Sequence, residues 1–149
     1  MLACYLQMVP SVDSARVCAF LVGTDKYEEI HPLKNGVGDA DKVEQALRKI
    51  GVERITNARD CNYEQLEKRT NHFLSRLRRG DVALVYVAAH AAIYNNQHVV
   101  LTSTSNETNL ADTSLGEELL LTRLVWCYVL CIHDDMPILT PRTHSLIKQ

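Results

Sequence analysis

His90 closes an apolar run, Asp81-Val-Ala-Leu-Val-Tyr-Val-Ala-Ala-His90, which Arg79-Gly80 introduces. The run predicts a buried strand with the histidine at its carboxyl end. In open α/β sheets the crevice beyond those ends is where ligands bind. An imidazole there exchanges a proton near neutral pH and suits general acid–base chemistry on a bound substrate. The simpler alternative is a partly buried histidine that ends a strand and satisfies its nitrogens locally. The other reactive side chains are five cysteines, Cys4, Cys18, Cys61, Cys127 and Cys131, an odd number without the spacing of a disulfide framework. Free thiols in a reducing, cytoplasmic compartment are the default expectation.

The elements that must position His90 follow from pattern and punctuation. Residues 1–15 read as an irregular leader, broken by Pro10, Ser11, Asp13 and Ser14. Arg16 to Val22 reads as a buried strand stopped by Gly23, and a polar loop with Pro32 and two glycines runs from Thr24 to Gly38. Asp39 to Ile50 predicts a helix with Val43, Ala46, Leu47 and Ile50 on its inner face, and Gly51 ends it. Val52 to Asn57 is a short strand. Asn62 and Gln65 then form a capping-box pair, opening a helix to about Leu77 that turns Leu66, Phe73, Leu74 and Leu77 inward.

Beyond the central strand, Tyr94-Asn-Asn-Gln97 predicts a turn, His98 to Thr102 a strand, Ser103 to Ser114 a surface loop and Leu115 to Arg123 a helix. Leu124 to Cys131 has strand character, and residues 132–149 read as an irregular tail. Alternating strands and helices imply a mainly parallel sheet covered by helices on both faces.

Composition excludes several classes. The chain has 149 residues, 46% hydrophobic and 23% charged, with a net charge of −2, which suits one soluble domain. No basic stripe with interleaved aromatics argues for nucleic acid. The cluster Arg76, Arg78 and Arg79 falls at a helix C-terminus, where cations complement the dipole. No apolar run approaches the roughly 20 residues that span a bilayer. Gly36-Val-Gly38 is a lone G-x-G after a long loop, a weak phosphate signal. Cys127, Cys131, His133 and His144 do not make a zinc pattern, because Cys-x3-Cys-x-His on a strand spreads ligands over both faces.

Several segments together resemble the caspase-like cysteine peptidases, and metacaspases and paracaspases more than animal caspases. Ala19-Phe-Leu-Val-Gly-Thr-Asp-Lys-Tyr27 is similar to the family's first strand, of type ALLIGNxxY. Leu33-Lys-Asn-Gly-Val-Gly-Asp-Ala40 is similar to its LKNAVNDA loop, and Arg78 to His90 to the RPGDVALFYFAGHG strand that delivers the catalytic histidine. Tyr94-Asn-Asn-Gln-His-Val-Val-Leu-Thr102 is similar to the stretch ending NYLVPTD. The likeness covers roughly residues 16 to 124.

The resemblance implies a caspase-like three-layer sandwich over residues 16–131, incomplete at its C-terminus. It implies a cysteine-type endopeptidase in which a thiolate attacks the scissile carbonyl and His90 protonates the departing amine. By position the thiol is Cys131, and Asp39 helps line an acidic pocket for an arginine or lysine of the substrate. A local reading of Asp39 competes, as a carboxylate at a helix start that accepts orphan N–H bonds. The expected partners are protein or peptide substrates and a complementary small-subunit segment or dimer partner, with no nucleic acid and no membrane. The residues call for no metal or cofactor; calcium, on which some metacaspases depend, stays open by resemblance.

Three departures mark this chain. The family's Gly-His-Gly is Ala89-His90-Ala91. The Asp-x-Cys nucleophile motif is missing, since Val129 stands two before Cys131. Only 18 residues follow Cys131, too few for the family's second segment. A catalytically inactive scaffold with a binding or regulatory role is therefore the alternative reading.

Overall fold

The computed structural model describes residues 16–106, 108–116, 128–133 and 138–139. The expected leader at 1–15 and most of the expected tail lie outside them. Four strands make a parallel sheet in the order β2-β1-β3-β7: β1 (Val17–Gly23), β2 (Arg54–Arg59), β3 (Val82–Ala88) and β7 (Tyr128–His133). Between them run α1 (Gly36–Lys49) and α2 (Tyr63–Arg76). A second sheet, in the order β6-β5-β4-β8, follows β3. It holds β4 (Ala91–Tyr94), β5 (Gln97–Leu101), β6 (Ser114–Gly116) and β8 (Ile138–Leu139), with the short helix α3 (Leu110–Thr113) before β6.

Alternation along β1 and β3 divides the core into two layers, as period-two side chains must. Cys18, Phe20 and Val22, with Ala83, Val85 and Val87, pack against Leu66 and Phe73 of α2. Ala19, Leu21, Tyr86 and Ala88 pack against Ala40 and Leu47 of α1. Phe20 stacks on Phe73 with ring centroids 5.3 Å apart. A parallel sheet with helices on both faces is thus the observed architecture.

The capping box opening α2 is present in full. Asn62 Oδ1 accepts the Gln65 N–H at 2.9 Å, and Gln65 Oε1 accepts the Asn62 N–H at 3.2 Å. Both partners lie on the surface, so Asn62→Ala should lower stability by about 1 kcal/mol. Urea unfolding would register this as an earlier midpoint with an unchanged slope, and an unchanged midpoint would deny the box any energetic role.

Three expectations change. Helix α1 begins at Gly36, three residues before Asp39, so its buried stripe is Gly36, Ala40 and Leu47; Ala46 is exposed, and Ile50 is 76% exposed at the C-cap. Leu115 and Gly116, expected in a helix, instead pair with Val100 and Val99 of β5, because that strand has an edge to fill. The strand expected to end at Cys131 runs on to His133, and Ile138–Leu139 pairs with β4 in the region expected to be an irregular tail.

Candidate active site

His90 occupies the switch between the two sheets. Pairing of β3 with β1 ends at Gly23 opposite Ala88, and pairing of β4 with β5 begins at Ala91 opposite Val100. The histidine carbonyl accepts the Leu101 N–H at 2.9 Å. Its own N–H donates to the Tyr27 hydroxyl oxygen at 2.8 Å. The imidazole is buried, with 8% of the residue exposed.

The ring's bonding fixes its chemistry. His90 Nε2 lies 2.8 Å from the backbone carbonyl of His31. A carbonyl can only accept, so Nε2 carries a hydrogen, and in the neutral ring the lone pair is then on Nδ1. Nδ1 is buried without a hydrogen-bond partner among the described residues. Leaving such an atom unpaired is costly, and functional sites are where such costs are tolerated. Tyr27 leans on the imidazole with centroids 4.9 Å apart and a 50° tilt. Burial pushes the Tyr27 hydroxyl up to about 12, so it remains a neutral phenol through the physiological range.

Tyr27 and His31 belong to the loop between β1 and α1, which further hydrogen bonds hold in place. Asp60, at φ 45°, accepts the N–H groups of Asp25 (2.8 Å) and Lys26 (3.0 Å) on Oδ1. Asp25 Oδ1 accepts the Gly36 N–H at 2.5 Å, which satisfies an orphan donor at the start of α1. The Glu28 N–H reaches the Ser103 carbonyl at 2.9 Å. Nothing local in the sequence marks Asp25, Tyr27 or His31 for these contacts. The signal for Asp60 was present, since an aspartate between a strand end and a capped helix tolerates the left-handed region.

Asp39 lies in the first turn of α1, one turn beyond Gly36, which packs against the Ala88 carbonyl. That places it at the carboxyl end of the sheet, as His90 is. Its Oδ1 accepts from Asn35 Nδ2 at 2.6 Å and from Lys42 Nζ at 2.9 Å. These donors are side chains, so the carboxylate does not take the orphan backbone N–H groups that the local reading expected.

Cys131 stands in the middle of β7, opposite Val85. Pairing of β7 with β3 ends at His133 opposite Val87, so Cys131 is paired two residues before the end of β7 and His90 lies three residues beyond the last pair. Of the other thiols in the described region, Cys18 sits beside Asp81 at 3.9 Å, and burial pushes it up, away from a reactive thiolate. Cys61 is buried after β2, its sulfur 3.5 Å from the Arg59 carbonyl. Cys4 and Cys127 lie outside the described residues.

A parallel sheet with helices on both faces, carrying a carbonyl-braced histidine at the end of β3, is one arrangement with which a known family can be compared. A family model described as the caspase domain matches residues 16–122. The chain belongs to the caspase-domain peptidase family. No curated protein matches it. The matched span begins at the residue before β1 and takes in both core helices, His90 and the β4–β5 hairpin. Cys131 falls beyond its end. No helix among the described residues is long and apolar enough to cross a membrane.

Proposed function

We propose that this caspase domain acts as a cysteine-type endopeptidase in which His90 is the general acid–base group, working through Nδ1. One observation carries the reading: the His31 carbonyl takes the Nε2 hydrogen, leaving an unpartnered basic nitrogen at the carboxyl end of the sheet. Nδ1 would accept the thiol proton as sulfur attacks the carbonyl and pass it to the departing amine, then take a proton from the water that hydrolyses the resulting thioester and return it to the thiolate. Asp39 is the proposed contact for an arginine or lysine on the amino side of the cut, the preference that a metacaspase-type domain would have. A substrate cation there takes the place of Lys42, whose bond to Asp39 is exposed and weak. The setting is the cytoplasm, the substrates are peptides or proteins, and a complementary small-subunit segment or second copy adds strands beyond β7. Calcium dependence belongs to the same proposal.

A second reading, a catalytically inactive caspase scaffold that keeps the cleft for binding or regulation, is favoured by the register of Cys131 against Val85. The two separate in one experiment. Hydrolysis of a peptidyl-arginine substrate and labelling by a peptidyl-arginine electrophile at mildly acidic pH are measured on the wild type, His90→Ala and Cys131→Ala. A peptidase loses about 10²- to 10⁴-fold in rate with His90→Ala, and one cysteine alone is labelled, with loss of that label in Cys131→Ala identifying Cys131 as the nucleophile. Slow labelling of every cysteine, indifferent to His90 and without turnover, establishes the scaffold reading instead.

A further inference from the structure

The loop between β1 and α1 meets His90 three times, through the Tyr27 hydroxyl, the Tyr27 ring and the His31 carbonyl. His31 contributes through its backbone while its side chain is exposed, so that contact is indifferent to residue type. Tyr27 contributes as a side chain. Its hydroxyl takes the His90 N–H, which lies between the last β3 pair at Ala88 and the first β4 pair at Ala91. The tyrosine is also anchored apart from His90: it packs against Ala92, Val99 and Leu101 of the second sheet. A ring packed in this way can hold something else in place.

We infer that Tyr27 is the positioning residue for His90, holding the imidazole in the tautomer that leaves Nδ1 as the free base; the inference rests on the reading of His90 as the acid–base group. The hydroxyl fixes the backbone of the histidine, the ring face fixes the plane of the imidazole, and the adjoining carbonyl then meets Nε2 and not Nδ1. Phenylalanine at this position keeps the packing and removes the bond to the main chain. The ring loses one of its restraints, and the second tautomer becomes accessible.

The test uses the full chain with ¹⁵N-labelled histidine, the His90 signals being identified by their absence in His90→Ala. Two-bond ¹H–¹⁵N correlations report which ring nitrogen bears the hydrogen. The wild type should show Nε2–H, and Tyr27→Phe should lower the ratio of Nε2–H to Nδ1–H about fivefold, the worth of one ordinary hydrogen bond. Where peptide hydrolysis is measurable, kcat should fall in proportion to the lost Nε2–H population, with KM unchanged. Tyr63→Phe, which removes a hydroxyl bonded to Glu67 on α2, should alter neither. 3-Fluorotyrosine at position 27 keeps the ring and weakens its oxygen as an acceptor from the His90 N–H, and should move the ratio the same way by less, which serves if Tyr27→Phe does not fold. An unchanged ratio in a folded Tyr27→Phe protein overturns the inference, even where hydrolysis depends on His90. A shifted ratio in a chain without turnover upholds Tyr27 as the positioning residue and removes the peptidase reading.

Discussion

Replacing Asp81 with alanine should cost about 3 kcal/mol of stability, near the lower end for breaking a buried ion pair. The Asp81 side chain is 5% exposed. It accepts Arg16 Nε at 2.9 Å, Arg16 Nη2 at 2.5 Å and the Arg78 N–H at 2.8 Å. Removing it strands a guanidinium and a backbone donor together. The Arg16 side chain keeps 25% of its exposure, so water recovers part of the loss, which places the value at the lower end. The pair ties the residue before β1 to the residue before β3, and so fixes where the histidine-bearing strand starts. Unfolding in urea should show the lower midpoint with the same slope.

The same carboxylate makes stability depend on pH with a definite sign. Burial alone would raise its pKa, but the bonds from Arg16 and Arg78 outweigh burial and hold it below the usual carboxylate range. A depressed folded pKa contributes stability that is fully present above the unfolded value, about 3.9 for aspartate. That contribution fades as pH falls through the folded value. The gap between the wild type and Asp81→Asn should therefore be steady from pH 7 to about 5 and shrink below about 4. A gap that stays constant into strong acid would show that the pair carries no charge linkage.

The parts of the fold legible in the sequence were those that neighbouring residues decide. The central strand and its histidine stood out because an apolar run between Gly80 and a polar turn has one good solution. The α2 start stood out because Asn62 and Gln65 cap each other across three residues. The first helix was read short for the opposite reason. Its opening donor, the Gly36 N–H, is satisfied by Asp25 from a loop 11 residues away, and Asn35 at the N-cap makes no side-chain capping bond. A window that looks for Ser, Thr, Asp or Asn bonding two or three residues on cannot see such a cap. Ala46 and Ile50 were then assigned to the wrong face, because the stripe had been counted from the wrong origin.

At the site, position was legible and partnership was not. Chain order placed His90 at a strand end, but the groups that set its tautomer come from 63 and 59 residues earlier. Cys131 shows the complementary case. Its strand character was evident, yet parallel register is set by which apolar rows meet across the sheet, and nothing local fixes it. Counting 41 residues from His90 places the cysteine near a strand end; pairing adds that it stands opposite Val85, two residues before β7 ends at His133.

Gly36→Val should be the most damaging single change near His90, with a loss of about 3 kcal/mol or more. A Cβ at Gly36 would stand 2.7 Å from the Ala88 carbonyl oxygen, 3.0 Å from the Thr24 carbonyl oxygen and 3.2 Å from Asp25 Oδ1. Two of these are main-chain atoms, and the Ala88 oxygen is already engaged by the Thr24 N–H at 3.0 Å. Relief requires α1 to move off the end of β3, two residues before His90, or the loop bearing Tyr27 to shift. His90-dependent labelling should therefore fall along with stability. Gly38→Ala provides the contrast. Its Cβ would meet Asn35 Oδ1 at 2.6 Å, the end of an exposed side chain that can rotate away. Alanine is the better helix former, so this variant should lie within about 1 kcal/mol of the wild type. Equal tolerance of both substitutions would mean that α1 does not approach β3 so closely. Unequal tolerance accounts for Gly36 by packing beneath the histidine, with no phosphate needed to explain the glycine.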